Sequence, residues 1–292
     1  MFKSAVPKPN RPKRSLPYVL TAPATLLFVT MVLVPLLLTA LLALNSYDDS
    51  VGIKSTYDLH NYLAIFGDDY YLRIFWRTFW IAGLTTLICI VVGAPEAYVL
   101  SRMGRKWRAF FLIVILAPLL VSVVVRAFGW SMLLSADGLI NHALQALGMA
   151  PVKMLYTSGA IVVALVHVML PFMVIPVWTA LQRLDPTVEH AALSLNASQA
   201  TVLRRILLPQ VAPGVLSGSL IVFGLSASAF AIPGLLGGRR LKMVATTVYD
   251  EFLGSLNWPL GASIAIVLLV ANLIIMMTYN RILERRYSKT LG

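Results

Sequence analysis

Ionisable side chains are scarce in this chain, and two of them interrupt long apolar runs: Glu96 in GAPEAYVLSR and His167 in ALVHVMLPFMV. A carboxylate or imidazole surrounded by lipid is costly, so each needs water, a partner or a task. Glu96 stands near the end of its run, where Arg102 or the interface keeps it hydrated; the alternative is solute contact or gating. His167, as a neutral imidazole, either bonds a neighbouring helix or offers a polar group to a cavity. Pro171 and Pro176 follow in the same run and free backbone carbonyls, which kinks a helix and lets it line a water-filled path. Trp178, Ser226, Ser228 and Asn272 are further polar groups inside apolar runs, readable as helix-packing contacts or as the lining of such a path.

A second concentration of informative residues is EHAALSLNASQATVLRRILLPQ, from Glu189 to Gln210, between two apolar runs. Asp185 and Pro186 supply a helix N-cap and a favoured first helical position. Val188, Ala191, Ala192 and Leu195 then recur at i, i+3, i+4 and i+7, a face whose alanines let another surface approach the backbone closely. Asn196 comes where the periodicity stops and tolerates a left-handed cap. Ser198 caps a second short helix, which Pro209 and Pro213 are expected to end before the next apolar run. Catalytic motifs are missing: the sequence contains no GxxxxGK[ST], no HExxH and no GxSxG. Cys89, the single cysteine, lies within an apolar run, which excludes internal disulfides and cysteine metal clusters. The chain is therefore expected to be no enzyme and to hold no metal or cofactor of its own.

The elements that position these groups are set by composition. Of 292 residues, 59% are hydrophobic and only 12% charged, and the mean hydropathy is +0.81. This is an all-α integral membrane protein. Six runs are long enough to cross a core of about 30 Å, near residues 17–45, 76–99, 109–129, 158–181, 213–234 and 258–279. The first is read as a retained span, because its apolar run is too long for a signal core. Sixteen of the 24 lysines and arginines lie in one alternating set of flanking segments: the tail 1–16, 102–108, the loop 182–212 and the tail 280–292. The positive-inside rule places that set, and both termini, in the cytoplasm. Asp48, Asp49, Asp58, Asp68, Asp69, Asp137, Asp250 and Glu251 fall in the opposite set. The net charge of +12 thus reports topology; a nucleic-acid surface would need a soluble domain, and none is visible. Outside, Tyr62, Phe66, Tyr70, Tyr71, Phe75 and Trp76 read as headgroup anchors, with solute contact as the alternative, and a short amphipathic helix is expected from Leu139 to Leu147.

EHAALSLNAS followed by ILLPQVAP resembles the EAA loop of permease subunits of binding-protein-dependent ABC importers. That pattern is Glu-Ala-Ala, a glycine four residues after the second alanine, then an apolar residue, a Leu-Pro pair and a further proline. Ala191, Ala192, Leu208, Pro209 and Pro213 match it; His190 stands at the glutamate position and Asn196 at the glycine position. Asn196 reaches positive φ as glycine does, and Glu189 supplies a neighbouring carboxylate. NYLAIFGDDYYLRIFWRTFWIA, LPFMVIPVWTALQRLDP and IPGLLGG with LNWPLGASIAIVLL resemble the polyamine and related-solute branch.

The resemblance implies a type I ABC importer permease fold with six transmembrane helices and a cytoplasmic coupling helix. It makes Glu189, His190, Ala191, Ala192, Leu195, Asn196, Ala197 and Pro209 the residues that engage an ATPase. His167, Pro171, Trp178, Ser226, Ser228 and Asn272 become candidates for the solute path. Implied partners are a second permease in a heterodimer, two cytoplasmic ATPase subunits holding ATP and magnesium, an extracytoplasmic solute-binding protein and membrane lipid, in a bacterial inner membrane. A polyamine path should offer carboxylates or aromatic faces. Yet the fifth run reads GLSASAFAIPG without an acid, and Arg239 and Arg240 repel a cation or attract an acidic binding protein. Amino-acid derivatives such as opines therefore stand beside polyamines as solutes, and an ion-coupled secondary transporter is the alternative class.

Overall fold

The computed structural model describes residues 16–288; of the expected tails, 1–15 and 289–292 lie outside the described residues. α1 (Leu16–Leu42) leads to a hairpin of β1 (Ser46–Asp48) and β2 (Gly52–Lys54). Then come α2 (His60–Gly67), α3 (Asp69–Arg102), α4 (Arg105–Leu116), α5 (Val123–Leu134), α6 (Leu139–Ala146) and α7 (Ser158–Gln182). They are followed by α8 (Pro186–Ser194), α9 (Gln199–Val202), α10 (Leu208–Ala227), α11 (Ala231–Leu236), α12 (Val244–Leu253) and α13 (Trp258–Ser288). Among the described residues, six stretches are long and apolar enough to cross a membrane: Thr21–Leu42, Asp69–Arg102, Val123–Ala146, Ser158–Gln182, Gln199–Ala227 and Trp258–Ile282.

The core is a trio of α3, α7 and α10, because these helices carry small residues where they meet. A Cβ on Gly93 of α3 would lie 2.9 Å from Met173 Cγ of α7, and one on Gly218 of α10 would lie 2.8 Å from Met173 Sδ. One on Gly214 would meet the Pro176 carbonyl oxygen and Ala180 Cβ, each at 2.7 Å. Without an aqueous driving force between helices in lipid, such close approach supplies the packing energy. Cys89, Ala97, Leu165, Val174, Val177 and Val222 fill the space between the three helices. α1 stands outside this trio, largely exposed, and is tied down at its end: Ser263 Oγ of α13 and Asn61 Nδ2 of α2 both donate to the Ala43 carbonyl, at 2.9 and 3.0 Å.

Four boundaries differ from the sequence-based expectation. The run near 109–129 is no single helix: α4 ends at Leu116, a 3-10 turn occupies Ala117–Leu120 and α5 begins at Val123. Pro118, without an N–H and with its ring against the preceding turn, ends α4, and Ser122 caps the new helix by accepting the Val124 N–H. Conversely, Pro209 and Pro213 do not end the second loop helix. A π-type turn at Leu203–Leu207 links α9 to α10, with the Leu208 N–H donating to the Leu203 carbonyl, and both prolines lie in α10. The wider turn shifts the hydrogen-bond register just where Pro209 lacks a donor, so the helix continues. That helix stops at Ala227, and α11 is separate rather than part of a span reaching 234. α13 likewise continues to Ser288 instead of giving way to a tail at 280. The short hairpin, held by the Lys54–Asp48 ion pair, is an addition to an otherwise helical chain.

Candidate functional site

Residues 185–202 build a compact helix-turn-helix at one end of the bundle. The Asp185 carboxylate accepts the Thr187 N–H at 2.9 Å, and that bond holds its pKa below the ordinary carboxylate range. Pro186 takes the first turn, where a missing N–H is harmless. At the other end of α8, Asn196 adopts φ 63°, the Asn196 N–H donates to Leu193 and the Ala197 N–H donates to Ala192. These are the paired bonds of a Schellman motif, which closes a helix through one left-handed residue. Ser198 then caps α9, accepting the Thr201 N–H at 3.2 Å.

α8 buries none of its described side chains. Val188 and Ala191 are exposed, Ala192 is half-buried and Leu195 is 85% exposed, so the apolar stripe is left open. Ala197 is half-buried and Pro209 exposed; the His190 side chain lies outside the described residues. What holds α8 to the bundle is polar: Arg102 Nη2, at the end of α3, meets Glu189 Oε2 at 2.5 Å. The same guanidinium lies 5.0 Å from the centre of the Tyr98 ring. Cavities of about 250 and 220 Å³ flank this clasp, both lined by Arg102 and Glu189. Arg102 is thus committed to Glu189 and not to Glu96, which makes no ion pair among the described residues.

The six candidate path residues do not form one site. His167, on α7, accepts a hydrogen bond at Nδ1 from Trp130 Nε1 of α5 at 3.2 Å, so it is joined to a neighbouring helix. Pro171 and Pro176 lie within an unbroken α7. Ser228 Oγ donates to its own helix at Gly224, 2.9 Å away. Asn272 approaches the same Gly224 from α13. Trp178 Nε1, Ser226 Oγ and Asn272 Oδ1 are buried without a hydrogen-bond partner among the described residues, which is rare for buried polar atoms.

Two features escaped sequence reasoning. Arg126 lies in α5 one turn before Trp130, with Nε and Nη1 buried and without a hydrogen-bond partner among the described residues. A cavity of about 780 Å³ opens between α5, α11 and α12, where Phe230, Tyr249, Asp250 and Glu251 gather with Arg239 and Lys242. The Phe230 and Tyr249 rings are 4.6 Å apart. Lys242 pairs with Asp250 at 2.6 Å, and that bond raises the lysine pKa; Glu251 is bonded by Ser255 Oγ. The sequence signal was the adjacent YDE of α12, which nothing local connects to Phe230.

Residues 86–289 match the family described as binding-protein-dependent transport system inner membrane component. The chain is 30% identical over 263 residues to the spermidine/putrescine transport system permease protein PotB of Haemophilus influenzae, covering 88% of this chain and 92% of that one. It is also 30% identical over 236 residues to PotB of Escherichia coli, with 80% and 86% covered. The inner membrane ABC transporter permease protein YdcU of Escherichia coli is 30% identical over 237 residues, with 76% and 75% covered. A chain in the crystal structure of a bacterial ABC transporter involved in the import of the acidic polysaccharide alginate superposes with a TM-score of 0.78 at 18% identity, over 92% of this chain and 95% of that one. An inward-facing MetNI methionine ABC transporter chain gives 0.58 at 16% identity, over 73% and 94%. At those identities the structural likeness speaks for the fold.

Proposed function

The chain belongs to the family of binding-protein-dependent transport system inner membrane components, and from that premise we propose that it is the permease subunit through which an ATP-driven importer moves a polyamine-like cation. It is a multi-pass inner-membrane protein with the type I ABC importer permease fold. In this reading α8 and both chain ends face the cytoplasm, and one of two ATPase subunits seats against the Val188, Ala191 and Leu195 face. ATP and magnesium are bound there, in the ATPase. A second permease completes the path, and an extracytoplasmic binding protein delivers the solute.

The observation that carries the coupling reading is the open apolar stripe of α8, held to the bundle by the Arg102–Glu189 clasp. Apolar residues left exposed in this way mark a contact surface, and an ion pair is a lever that transmits displacement from α8 to the end of α3. The solute class is supported by the names of the PotB relatives and by the gathering of Phe230, Tyr249 and Glu251, whose aromatic faces and carboxylate suit ammonium groups. Arg126 favours a second reading, an amino-acid derivative whose carboxylate would meet the buried guanidinium.

The test is uptake into proteoliposomes holding this chain, its second permease and the ATPase, with the binding protein outside. ATP-dependent uptake of labelled spermidine that weakens on Glu251→Gln supports the proposal. Uptake of an opine in preference, lost on Arg126→Gln, replaces it with the second reading. Uptake driven by an ion gradient without ATP overturns the importer reading in favour of a secondary transporter.

A further inference from the structure

Arg73 and Arg77 of α3 converge with Arg239, Arg240 and Lys242 of the α11–α12 segment, and with Tyr70, on one cleft of about 210 Å³. The two segments are joined by Arg77 Nη1, which donates to the Arg240 and Lys242 carbonyls at 3.2 Å each. Among the described residues the ion pairs are Lys54–Asp48, Arg102–Glu189 and Lys242–Asp250, so four guanidinium groups share this cleft with no carboxylate bound to any of them. The nearby Asp68 is occupied as the N-cap of α3, accepting the Tyr70 N–H. Like charges brought together repel unless an anion sits among them.

The position along α3 identifies the anion. Its 34 residues span about 51 Å, against a hydrocarbon core of about 30 Å, so roughly seven residues project at each end. Arg73 therefore stands at headgroup depth and Arg77 at the boundary of the core. Arg73, Trp76, Arg77 and Trp80 follow i, i+3, i+4, i+7 spacing and so share one helix face. The two indoles on that face are 71% and 60% exposed and stack on each other, with centroids 6.4 Å apart. Exposed tryptophans at such a level lie among lipid headgroups and upper acyl chains.

We propose that this cleft binds the phosphate of an anionic phospholipid, with Trp76 and Trp80 lying along its acyl chains. An acidic face of a soluble protein reaches Arg239 and Arg240 but not a face that descends to Trp80. The cleft is also too small for a helix, which needs roughly 10 Å of width. A seated lipid phosphate offsets one of these four positive charges, which lowers the barrier that cations arriving at this end of the protein meet.

The full chain, purified in mild detergent, is titrated with phosphatidylglycerol or with phosphatidylcholine of the same acyl chains, and bound lipid is counted by native mass spectrometry. Wild type retains phosphatidylglycerol in preference, and Arg73→Gln with Arg239→Gln reduces that preference by about thirtyfold, while Arg73→Lys with Arg239→Lys keeps most of it. Arg77 stays in place in both variants because its backbone bonds hold the loop. Equal retention of the two lipids by wild type, or an unchanged preference in the glutamine variant, overturns the proposal. Displacement of phosphatidylglycerol by millimolar inorganic phosphate shows a free-anion site and overturns the lipid assignment. So does a glutamine variant that loses affinity for an acidic binding protein while its lipid preference stays intact.

Discussion

Asn196 holds φ 63°, a left-handed backbone position at the turn between α8 and α9. Replacing it with valine puts a β-branched side chain where the Cβ crowds the following carbonyl, at a cost of roughly 1 to 2 kcal/mol. The two closing bonds, Asn196 N–H to Leu193 and Ala197 N–H to Ala192, depend on the same conformation. In a solvated loop they contribute at the low end of about 0.5 to 1.5 kcal/mol each. The wild-type turn makes the same bonds, so the shift against the capped turn is the steric cost alone, roughly fivefold to thirtyfold. None of this reaches the core, because α8 buries none of its described side chains. The expected result is therefore an unchanged thermal midpoint with a defective coupling loop. In proteoliposomes with equal amounts of each variant, binding-protein-stimulated ATP hydrolysis and uptake should fall about tenfold for Asn196→Val. Asn196→Gly should stay within about twofold, since glycine enters this region without a steric penalty. Normal coupling by Asn196→Val, or an equal loss in both variants, would refute the argument that the left-handed turn aims α8 at its partner.

Gly214→Val should lower the thermal midpoint and the yield of folded protein, since its Cβ meets backbone at 2.7 Å and overpacking of this kind costs about 1 to 3 kcal/mol or more. Gly83→Ala, with nothing within 4 Å, should be neutral or slightly stabilising. A double-mutant cycle of Arg102→Gln and Glu189→Gln on ATPase affinity should give a coupling of about 0.5 to 1 kcal/mol, discounted because Arg102 is half exposed; zero coupling would remove the clasp from the mechanism. Asp185, with a folded pKa depressed by the Thr187 N–H, stabilises the start of α8 above its unfolded pKa. That contribution is lost as pH falls through the lower folded value, so it begins to fade only below about pH 4. The Thr187 amide chemical shift should titrate with a midpoint below that of an ordinary aspartate, and should not titrate in Asp185→Asn.

Much of this protein is decided within a few residues of chain. The apolar runs are long because lipid requires it, and the caps at Asp185, Asn196 and Ser198 each satisfy backbone groups at most five positions away, which is why they are legible in EHAALSLNAS and its flanks. Even the helix from Leu139 needs only its own periodicity and the turn at Gly138.

Contacts between distant segments are another matter. Pro118 breaks its helix while Pro209 does not, because a π turn upstream of Pro209 absorbs the missing donor; a proline alone does not reveal which will happen. Arg102 has Glu96 six residues away, and it pairs instead with Glu189, 87 positions along, because the close approach of α3, α7 and α10 at Gly93, Gly214 and Gly218 brings the end of α3 beside α8. His167 finds Trp130, Phe230 finds Tyr249 and Arg73 finds Arg239 for the same reason. A local sequence sets which groups a segment can offer; which charges meet, and which are left facing a cavity or the lipid, follows only from how tightly the helices pack.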